Sequence, residues 1–162
     1  MLRFDEACHL LCAAAAGYAR QTQWVALDQA GGRILAQDIA ARRDAPGRAV
    51  SAMDGYAVRE STLRDLPVGL PVIGASFAGQ AFAGPLLPHS CVRIFTGAIL
   101  PEGADRVVMQ EDVREADGMA HFTIPCSPRR HVRAAASDFA RGDILLTRDT
   151  QITPQRLISL AA

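Results

Sequence analysis

The sequence predicts a mainly β fold, built of small barrel-like or sandwich-like β units with an N-terminal helix and a few short helices. Short apolar runs alternate with turn residues along most of the chain, which has 13 glycines and 9 prolines in 162 residues. Helical spacing of apolar residues is sustained only near the N-terminus. Short strands that are separated by turn signals are typical of small barrels and sandwiches.

The first predicted element is a helix over residues 4–18. Asp5 and Glu6 lie in its first turn, where negative charge stabilises the positive end of the helix dipole. Gly17 and the polar stretch that follows it end the helix. The apolar residues that recur at helical spacing are Phe4, Ala7, Cys8, Leu11, Ala14, Ala15 and Tyr18.

Three weaker elements are predicted before residue 42. Residues 24–27 favour a short strand, residues 30–36 a helical turn that carries Ile34 and Leu35, and residues 38–41 extended chain. These elements are too short for periodicity to decide between helix and strand, so they depend on composition.

The later part of the chain predicts a series of short strands and one final helix. Residues 113–124 form the clearest hairpin, because Asp117-Gly118 suits the positive φ angles of a tight turn. Thr153 and Pro154 are typical of an N-cap and a first helical position, and predict a helix through Leu160. The remaining predicted strands are residues 68–77, 91–95, 106–110, 120–124 and 144–146.

Two polar segments that contain proline, residues 42–48 and 125–130, predict crossings between substructures. Their matching character indicates that the middle β unit is inserted into the other one. We therefore expect an N-terminal helix over residues 1–20, a discontinuous β-rich linker domain over residues 21–48 and 131–162, and an inserted β domain over residues 49–130.

Charge and composition argue against several classes of function. Basic and acidic residues balance at 17 each, so the chain lacks the positive field that attracts nucleic acid or an anionic membrane. No apolar run approaches the roughly 20 residues that span a bilayer. Asp5 and Glu6 stand where a signal peptide would be basic and then apolar. The sequence predicts a cytoplasmic protein with no nucleic-acid or membrane partner.

The four cysteines, Cys8, Cys12, Cys91 and Cys126, are too sparse for a disulfide scaffold and are expected to be free thiols. Cys8 and Cys12 would share a helix face beside His9. A metal site there is an alternative to unligated thiols, although the spacing lacks a CxxC pair.

Three segments place polar residues at predicted turns. In SAMDGYAV, residues 51–58, Asp54-Gly55 is expected to hold a carboxylate out of the backbone, and a plain turn aspartate is the alternative. In residues 93–105 a strand runs into a glycine turn, where the Thr96 hydroxyl and the N–H groups after it would receive a phosphate or another oxyanion, or form only a hairpin rim. In residues 133–143, Asp138 precedes a glycine turn and a strand.

Taken together, these motifs are far more specific than any one of them. In order they are SAMDGYAV, FTGAxLPEGADxVVMQE, and D-x-x-x-G-D-x-L-L followed by T-P. In this order and spacing they resemble the molybdopterin molybdenumtransferases, a family that includes the bacterial MoeA type and the gephyrin E domain. The resemblance covers essentially the whole chain, from residue 4 to residue 162.

The resemblance implies a homodimer whose N-terminal part forms two β-rich units with coiled or bifurcated sheets. Such proteins insert molybdate into adenylylated molybdopterin with release of AMP, depend on Mg²⁺, and work beside other molybdenum cofactor biosynthesis proteins. In that family an α/β pterin-binding domain and a last β domain follow, and this sequence contains neither. The 162-residue chain alone is therefore expected to be inactive.

By motif match, the resemblance implies three catalytic residues: Asp54, Thr96 and Asp138. Asp54 and Asp138 would bind Mg²⁺ directly or through water, because bare carboxylates would repel the anionic molybdate and pyrophosphate groups. Thr96 would donate a hydrogen bond to an oxyanion. The cofactor-binding residues implied in the same way are Ser51, Gly55, Gly97 and Arg133.

The sequence departs from the family pattern beside two of these residues. Arg48-Ala49-Val50 stands before Ser51, where the family has an aspartate followed by arginine or asparagine. Residues 134–137, Ala-Ala-Ala-Ser, replace most of a basic run that contains glycine. These departures leave open an alternative function, a non-catalytic dimerisation or binding module of a divergent paralogue.

Overall fold

The computed structural model describes residues 2–17 and 21–161, and the predicted mainly β fold is confirmed. Helix α1 spans Phe4–Ala16 and helix α2 spans Pro154–Ala161. Short 3₁₀ helices lie at Leu27–Gln29, Glu60–Leu63 and Gln110–Asp112. The strands, numbered β1 to β10 in chain order, are Ile39–Ala40, Val50–Ser51, Gly55–Val58, Val68–Ser76, Cys91–Ile94, Arg106–Met109, Val113–Ala116, Met119–Phe122, Val132–Arg133 and Ile144–Leu146.

The chain divides into two compact units. The first contains the residues up to Ile39 together with Leu145–Ala161, and the second contains Ala40–Ile144. The domain limits expected from the sequence stay a prediction.

The second unit is built on a six-stranded sheet with the order β6-β3-β5-β4-β8-β7. All neighbouring strands are antiparallel except β4 and β5, which are parallel. Strand β4 bends at a register shift between Val72 and Ala75, so that its first half pairs with β8 and its second half with β5. The long strand thereby joins two parts of the sheet.

Both faces of this sheet are covered by apolar side chains. Successive residues of a strand point to opposite faces, so a strand of consecutive apolar residues contributes to both. In β3, Tyr56 and Val58 face one cluster while Ala57 faces the other. The first cluster contains Tyr56, Val58, Leu63, Leu70, Cys91, Val108, Ala120 and Phe122. The second contains Ala57, Leu86, Val92, Ile94, Ala98 and Val107.

The predicted hairpin is confirmed as β7 and β8. The two residues between the strands, Asp117 and Gly118, have φ angles of 52° and 75°. Positive φ at both positions is what a two-residue turn of the I′ type requires, and it matches the twist of the flanking strands.

The first unit has a smaller core, and two of its predicted elements are wrong. Residues 24–27 do not form a strand, and residues 30–36 do not form a helical turn. Instead, Ile34 forms an isolated bridge with Gln151, and the Leu35 N–H donates to the Thr150 carbonyl over 2.9 Å. A distant part of the chain satisfies these backbone groups, which local composition cannot reveal. The core consists of Ala30, Leu35 and Ile152.

Both helices agree with the sequence prediction within the described residues. In α2, the Thr153 hydroxyl accepts a hydrogen bond from the Arg156 N–H at 3.4 Å, as expected of an N-cap. Helix α1 ends at Ala16, and Tyr18 lies outside the described residues. No residue of α1 is buried, and Phe4 and Leu11 are 81% and 71% exposed. None of the described helices is long and apolar enough to cross a membrane.

The four cysteines are free thiols with very different surroundings. Cys8 and Cys12 are exposed on α1, Cys126 is half-buried, and Cys91 is buried in β5. The Cys91 thiol lies 3.7 Å from the Leu70 carbonyl oxygen. Burial raises the pKa of the Cys91 thiol to about 12, so this group stays protonated in the folded protein.

Candidate functional site

Four adjacent strands of the large sheet bring their ends together at one edge. Strand β3 begins directly after Asp54 and runs antiparallel to β5 and β6, which end just before Phe95 and Gln110. Strand β4 runs parallel to β5 and ends before Phe77. The sheet order therefore brings together segments that are tens of residues apart in sequence.

Asp54 and Thr96 form the centre of this edge. The Thr96 backbone N–H donates to Asp54 Oδ1 at 2.8 Å, and the Thr96 hydroxyl donates to the same oxygen at 2.7 Å. The backbone carbonyl of Asp54 accepts a hydrogen bond from the Gln110 N–H at 3.1 Å. Two of the predicted catalytic residues are thus in direct contact, and the aspartate is held at both its side chain and its main chain.

These contacts keep the Asp54 carboxylate ionised. Its pKa is lowered, chiefly by the hydrogen bond from the Thr96 N–H and then by that from the Thr96 hydroxyl, with a smaller contribution from the Arg93 guanidinium. Both strong bonds go to Oδ1. Among the described residues nothing donates to Oδ2, so this oxygen is the one that faces outward from the pair.

Gly55 and Gly97 shape the backbone on either side of the pair. A Cβ on Gly55 would lie 1.9 Å from the Val108 carbonyl oxygen, so only glycine allows β3 to approach β6 at this point. Gly97 has a φ angle of 81°, in the left-handed region that favours glycine, and its N–H donates to the Ser51 carbonyl at 2.9 Å. Ser51 itself is buried, and its hydroxyl donates to the Met53 carbonyl.

The backbone amides that follow the FTG motif are engaged within the protein. The N–H of Thr96 is bound by Asp54, that of Gly97 by Ser51, and that of Ala98 by the Phe95 carbonyl at 2.9 Å. The expected open cluster of amides for an oxyanion is therefore not formed by these three groups. Of the two donors of Thr96, only the hydroxyl can turn to another acceptor without a movement of the backbone.

Arg133 and Asp138 form a second group. Arg133 Nη2 donates to Asp138 Oδ1 at 2.6 Å and to Oδ2 at 2.8 Å, and both side chains are about half exposed. Arg133 lies in β9, which pairs with β2 so that Val50 faces Arg133 and Ser51 faces Val132. The Asp138 carboxylate is thus held by Arg133 and is not part of the Asp54–Thr96 hydrogen-bond pair.

Sequence reasoning missed the residues that surround Asp54, above all Arg93. This arginine stands in the buried strand β5, between Val92 and Ile94, where a charged side chain needs specific partners. That unusual position was the available signal. Its partners, however, come from β3 and from the segment after β6, and the sequence does not show which strands are neighbours.

The carboxylates of Asp54 and Asp138 are the metal-binding groups that the motifs provide. The outward oxygen of Asp54 is a hard donor of the kind that Mg²⁺ prefers, whereas Asp138 would have to share or release Arg133. Across residues 2–17 and 21–161, no group of three or more His, Cys, Asp or Glu side chains is arranged to hold a metal ion. Cys8 and Cys12, the alternative metal site, are exposed free thiols.

Comparison with known proteins gives consistent results. The family model described as "MoeA N-terminal region (domain I and II)" matches residues 2–162. A molybdopterin molybdenumtransferase of Haemophilus influenzae is 42% identical over 143 residues, covering 88% of this chain and 35% of the relative. The Synechococcus elongatus protein of the same name is 34% identical, covering 100% of this chain and 41% of the relative.

A solved structure gives the same result at the level of the fold. The crystal structure of the molybdopterin biosynthesis MoeA protein from Pyrococcus horikoshii OT3 matches with a TM-score of 0.80 and 30% identity, covering 87% of this chain and 38% of that chain. The chain thus spans between about a third and two fifths of the length of these relatives.

Proposed function

Since the chain belongs to the family of MoeA N-terminal regions, we propose that it is the part of a cytoplasmic molybdenum cofactor biosynthesis enzyme that helps to insert molybdate into adenylylated molybdopterin, with release of AMP. The observation that carries this proposal is the Asp54–Thr96 pair. Two residues from different motifs, 42 positions apart, meet at hydrogen-bond distance on an exposed sheet edge. A plain turn aspartate would need no such partner.

In this proposal Asp54 and Thr96 have complementary tasks. Asp54 presents an ionised carboxylate whose direction is fixed by the Thr96 N–H and by the Gln110 N–H. The Thr96 hydroxyl rotates from Asp54 to an oxyanion of the substrate, while its backbone N–H keeps the carboxylate in place. Asp138, held by Arg133, contributes a second carboxylate to the same reaction.

Mg²⁺ fits the donor set in part. The Asp54 oxygen that faces outward is a suitable ligand, and a magnesium ion with several retained waters needs only one or two carboxylates. When bound, the ion would neutralise charge between the carboxylates and the anionic substrate. Asp138 would take part through water or after Arg133 gives up one of its two contacts.

The test is a molybdate insertion assay on the protein encoded by the complete reading frame that contains this sequence. Asp54→Asn and Asp138→Asn are expected to lower kcat by roughly 100-fold to 1,000-fold, the usual cost of losing one electrostatic contact to the transition state. Thr96→Val should lower the rate in the same direction. Asp65→Asn is the matched control, because Asp65 is an exposed carboxylate outside this edge.

The activities of these variants decide between a catalytic function and a scaffold function. Equal activity of the Asp54→Asn, Asp138→Asn and Asp65→Asn proteins would overturn the catalytic proposal in favour of a scaffold. The 162-residue chain by itself is expected to give no cofactor, because the relatives devote about two thirds of their length to other residues. Turnover by this chain alone would contradict the assignment of a supporting role.

A second candidate, a dimerisation or binding module, is favoured by the exposed apolar residues of α1. Phe4, Leu10 and Leu11 are 81%, 61% and 71% exposed, and no residue of the helix is buried. A helix that exposes several large apolar side chains is a candidate interaction site. We propose that a second copy of the chain covers them, which is compatible with either function.

Light scattering after size exclusion tests this homodimer. Leu11→Glu should convert a dimer to a monomer, whereas Glu6→Gln, a change of charge in the same helix, should leave the mass unchanged. A parent protein that is monomeric at all concentrations, or a Leu11→Glu protein that stays dimeric, would contradict the proposal.

A further inference from the structure

We propose that Arg93 is a positioning residue, whose planar guanidinium clamps the segment that carries Asp54 in a way that lysine cannot reproduce. The purpose of the clamp, which is to orient a catalytic carboxylate, rests on the proposed function. The clamp itself rests only on the contacts of Arg93.

Two aromatic rings contact the guanidinium. Arg93 stands directly opposite Tyr56 in the antiparallel pair of β3 and β5, and its guanidinium carbon lies 5.0 Å from the Tyr56 ring centroid. The same carbon lies 4.9 Å from the centroid of Phe95. Both distances are within the range of cation–π contacts, to which arginine contributes a flat face.

The rings are themselves supported. Phe95 stacks on Phe77, with ring centroids 4.8 Å apart and planes inclined by 11°. The Tyr56 hydroxyl donates to a carboxylate oxygen of Glu115 in β7. Tyr56 is also buried, at 4% exposure. Both rings that contact the guanidinium are therefore held by residues from other parts of the chain.

The guanidinium donates hydrogen bonds to two residues that contact or adjoin Asp54. Nη1 donates to the Gly55 carbonyl at 3.0 Å, and Nη2 donates to the side-chain oxygen of Gln110. Gln110 in turn donates its backbone N–H to the Asp54 carbonyl at 3.1 Å. Arg93 thus contacts Gly55, which follows Asp54, and Gln110, which binds the Asp54 carbonyl. Together with the Asp54–Gly55 peptide bond, these hydrogen bonds form a closed ring that includes the Asp54 backbone.

The chemistry of these contacts requires arginine. The two acceptors, a main-chain carbonyl and an amide oxygen, are neutral, and among the described residues Arg93 forms no ion pair. Its task is thus to place two donors at fixed angles while its flat face contacts two rings. A lysine ammonium is a compact point charge without a planar fork, so it would keep the charge but lose the geometry.

The test measures the two amides that hold Asp54, in the 162-residue chain, by nuclear magnetic resonance at one fixed pH. The Thr96 N–H donates to Asp54 Oδ1, and the Gln110 N–H donates to the Asp54 carbonyl. Arg93→Gln and Arg93→Lys should both speed the exchange of these two amides with solvent by about tenfold.

Rescue by lysine is the result that would overturn the proposal, since it would show that charge alone suffices. Unchanged exchange of both amides in both variants would overturn it as well. Arg114→Gln is the matched control, because Arg114 is an exposed arginine of β7 and should leave Thr96 unaffected. If the Arg93 variants do not fold, Gln110→Leu removes the acceptor of Nη2 and should speed the exchange of the same two amides.

The outcome is separate from that of the molybdate assay. Should Asp54→Asn keep full activity while the Arg93 variants speed the exchange of the Thr96 and Gln110 amides, the proposed function fails and the clamp stands. Should the exchange stay unchanged while Asp54→Asn is inactive, the clamp fails and the proposed function stands.

Discussion

Gly55 determines the backbone packing at this site because it has no Cβ. Its position in β3 brings the backbone so close to β6 that a Cβ would lie 1.9 Å from the Val108 carbonyl oxygen. The same close approach places Asp54, one residue earlier, beside Gln110. The SAMDGYAV motif therefore contains its glycine for a reason of backbone packing, next to the aspartate that we propose as catalytic.

Gly55→Ala is accordingly expected to destabilise the protein by at least about 3 kcal/mol, because the clash is with backbone and no flexible side chain can move away. Chemical denaturation followed by circular dichroism measures the change. Gly31→Ala is the matched control, since a Cβ there meets nothing within 4 Å, and it should change stability by no more than about 0.5 kcal/mol. Equal midpoints for the two variants would contradict this explanation.

Tyr56 gives the protein a predictable response to alkali. Burial, and then the hydrogen bond and charge of Glu115, raise the pKa of Tyr56 to about 12 from its ordinary value of 10.0. Since the folded-state pKa is the higher one, the resulting stability is fully present below pH 10 and is lost as the pH rises toward 12.

Over this range the parent protein should lose stability more steeply than Tyr56→Phe, which has no hydroxyl to ionise at this position. Denaturation midpoints measured at successive pH values, together with the absorbance of tyrosinate, provide the comparison. Parallel curves for the two proteins would show that Tyr56 does not ionise in response to unfolding.

At the scale of elements, the sequence predicts those structures whose signals are local. Helix α1, the N-cap of α2 and the hairpin of β7 and β8 each follow from residues within one turn or one short loop. Three strands were missed. Strands β2 and β9 have only two residues each and pair with each other, with Val50 opposite Arg133. Strand β3 lies in a segment for which only a turn was expected, and it pairs with β5 and β6, which are distant in sequence. Long-range pairing of the same kind overrides the helical turn expected at residues 30–36.

The sequence motifs indicate some residues of the candidate site but not their arrangement. The motifs identify Asp54 and Thr96, yet their contact depends on β3 lying next to β5 in the sheet order. Arg93 has no signal beyond its place in an apolar strand. Its function in the clamp requires Tyr56, Phe95 and Gln110 to meet, which only the folded sheet provides.

At the scale of the whole molecule, the two units differ in how much apolar surface they bury. The second unit has two clusters that cover both faces of a six-stranded sheet, with several residues completely buried. The core of the first unit consists of Ala30, Leu35 and Ile152, with partly buried residues around it. Regions with few buried contacts open more easily than the rest of a protein.

Hydrogen exchange should therefore separate the units. We expect the amides of β3, β5 and β6 to exchange most slowly, and those of residues 32–35 and 150–152 at least about tenfold faster. Leu35→Ala should speed exchange in the first unit and leave β5 unchanged, whereas Val92→Ala should speed exchange in the large sheet. A single common rate for both units in the parent protein would contradict this expectation.

Because Cys91 is buried, alkylation of its thiol would report the opening of the large sheet. Cys8 and Cys12 are exposed, Cys126 is half-buried, and the protonated thiol of Cys91 is enclosed by the sheet. A short pulse of an alkylating reagent should therefore add mass first at the two helix cysteines, and at Cys91 only in molecules whose large sheet has opened. Mass spectrometry of the peptide that contains Cys91 would give the fraction of open molecules at each moment, with no dye or engineered label.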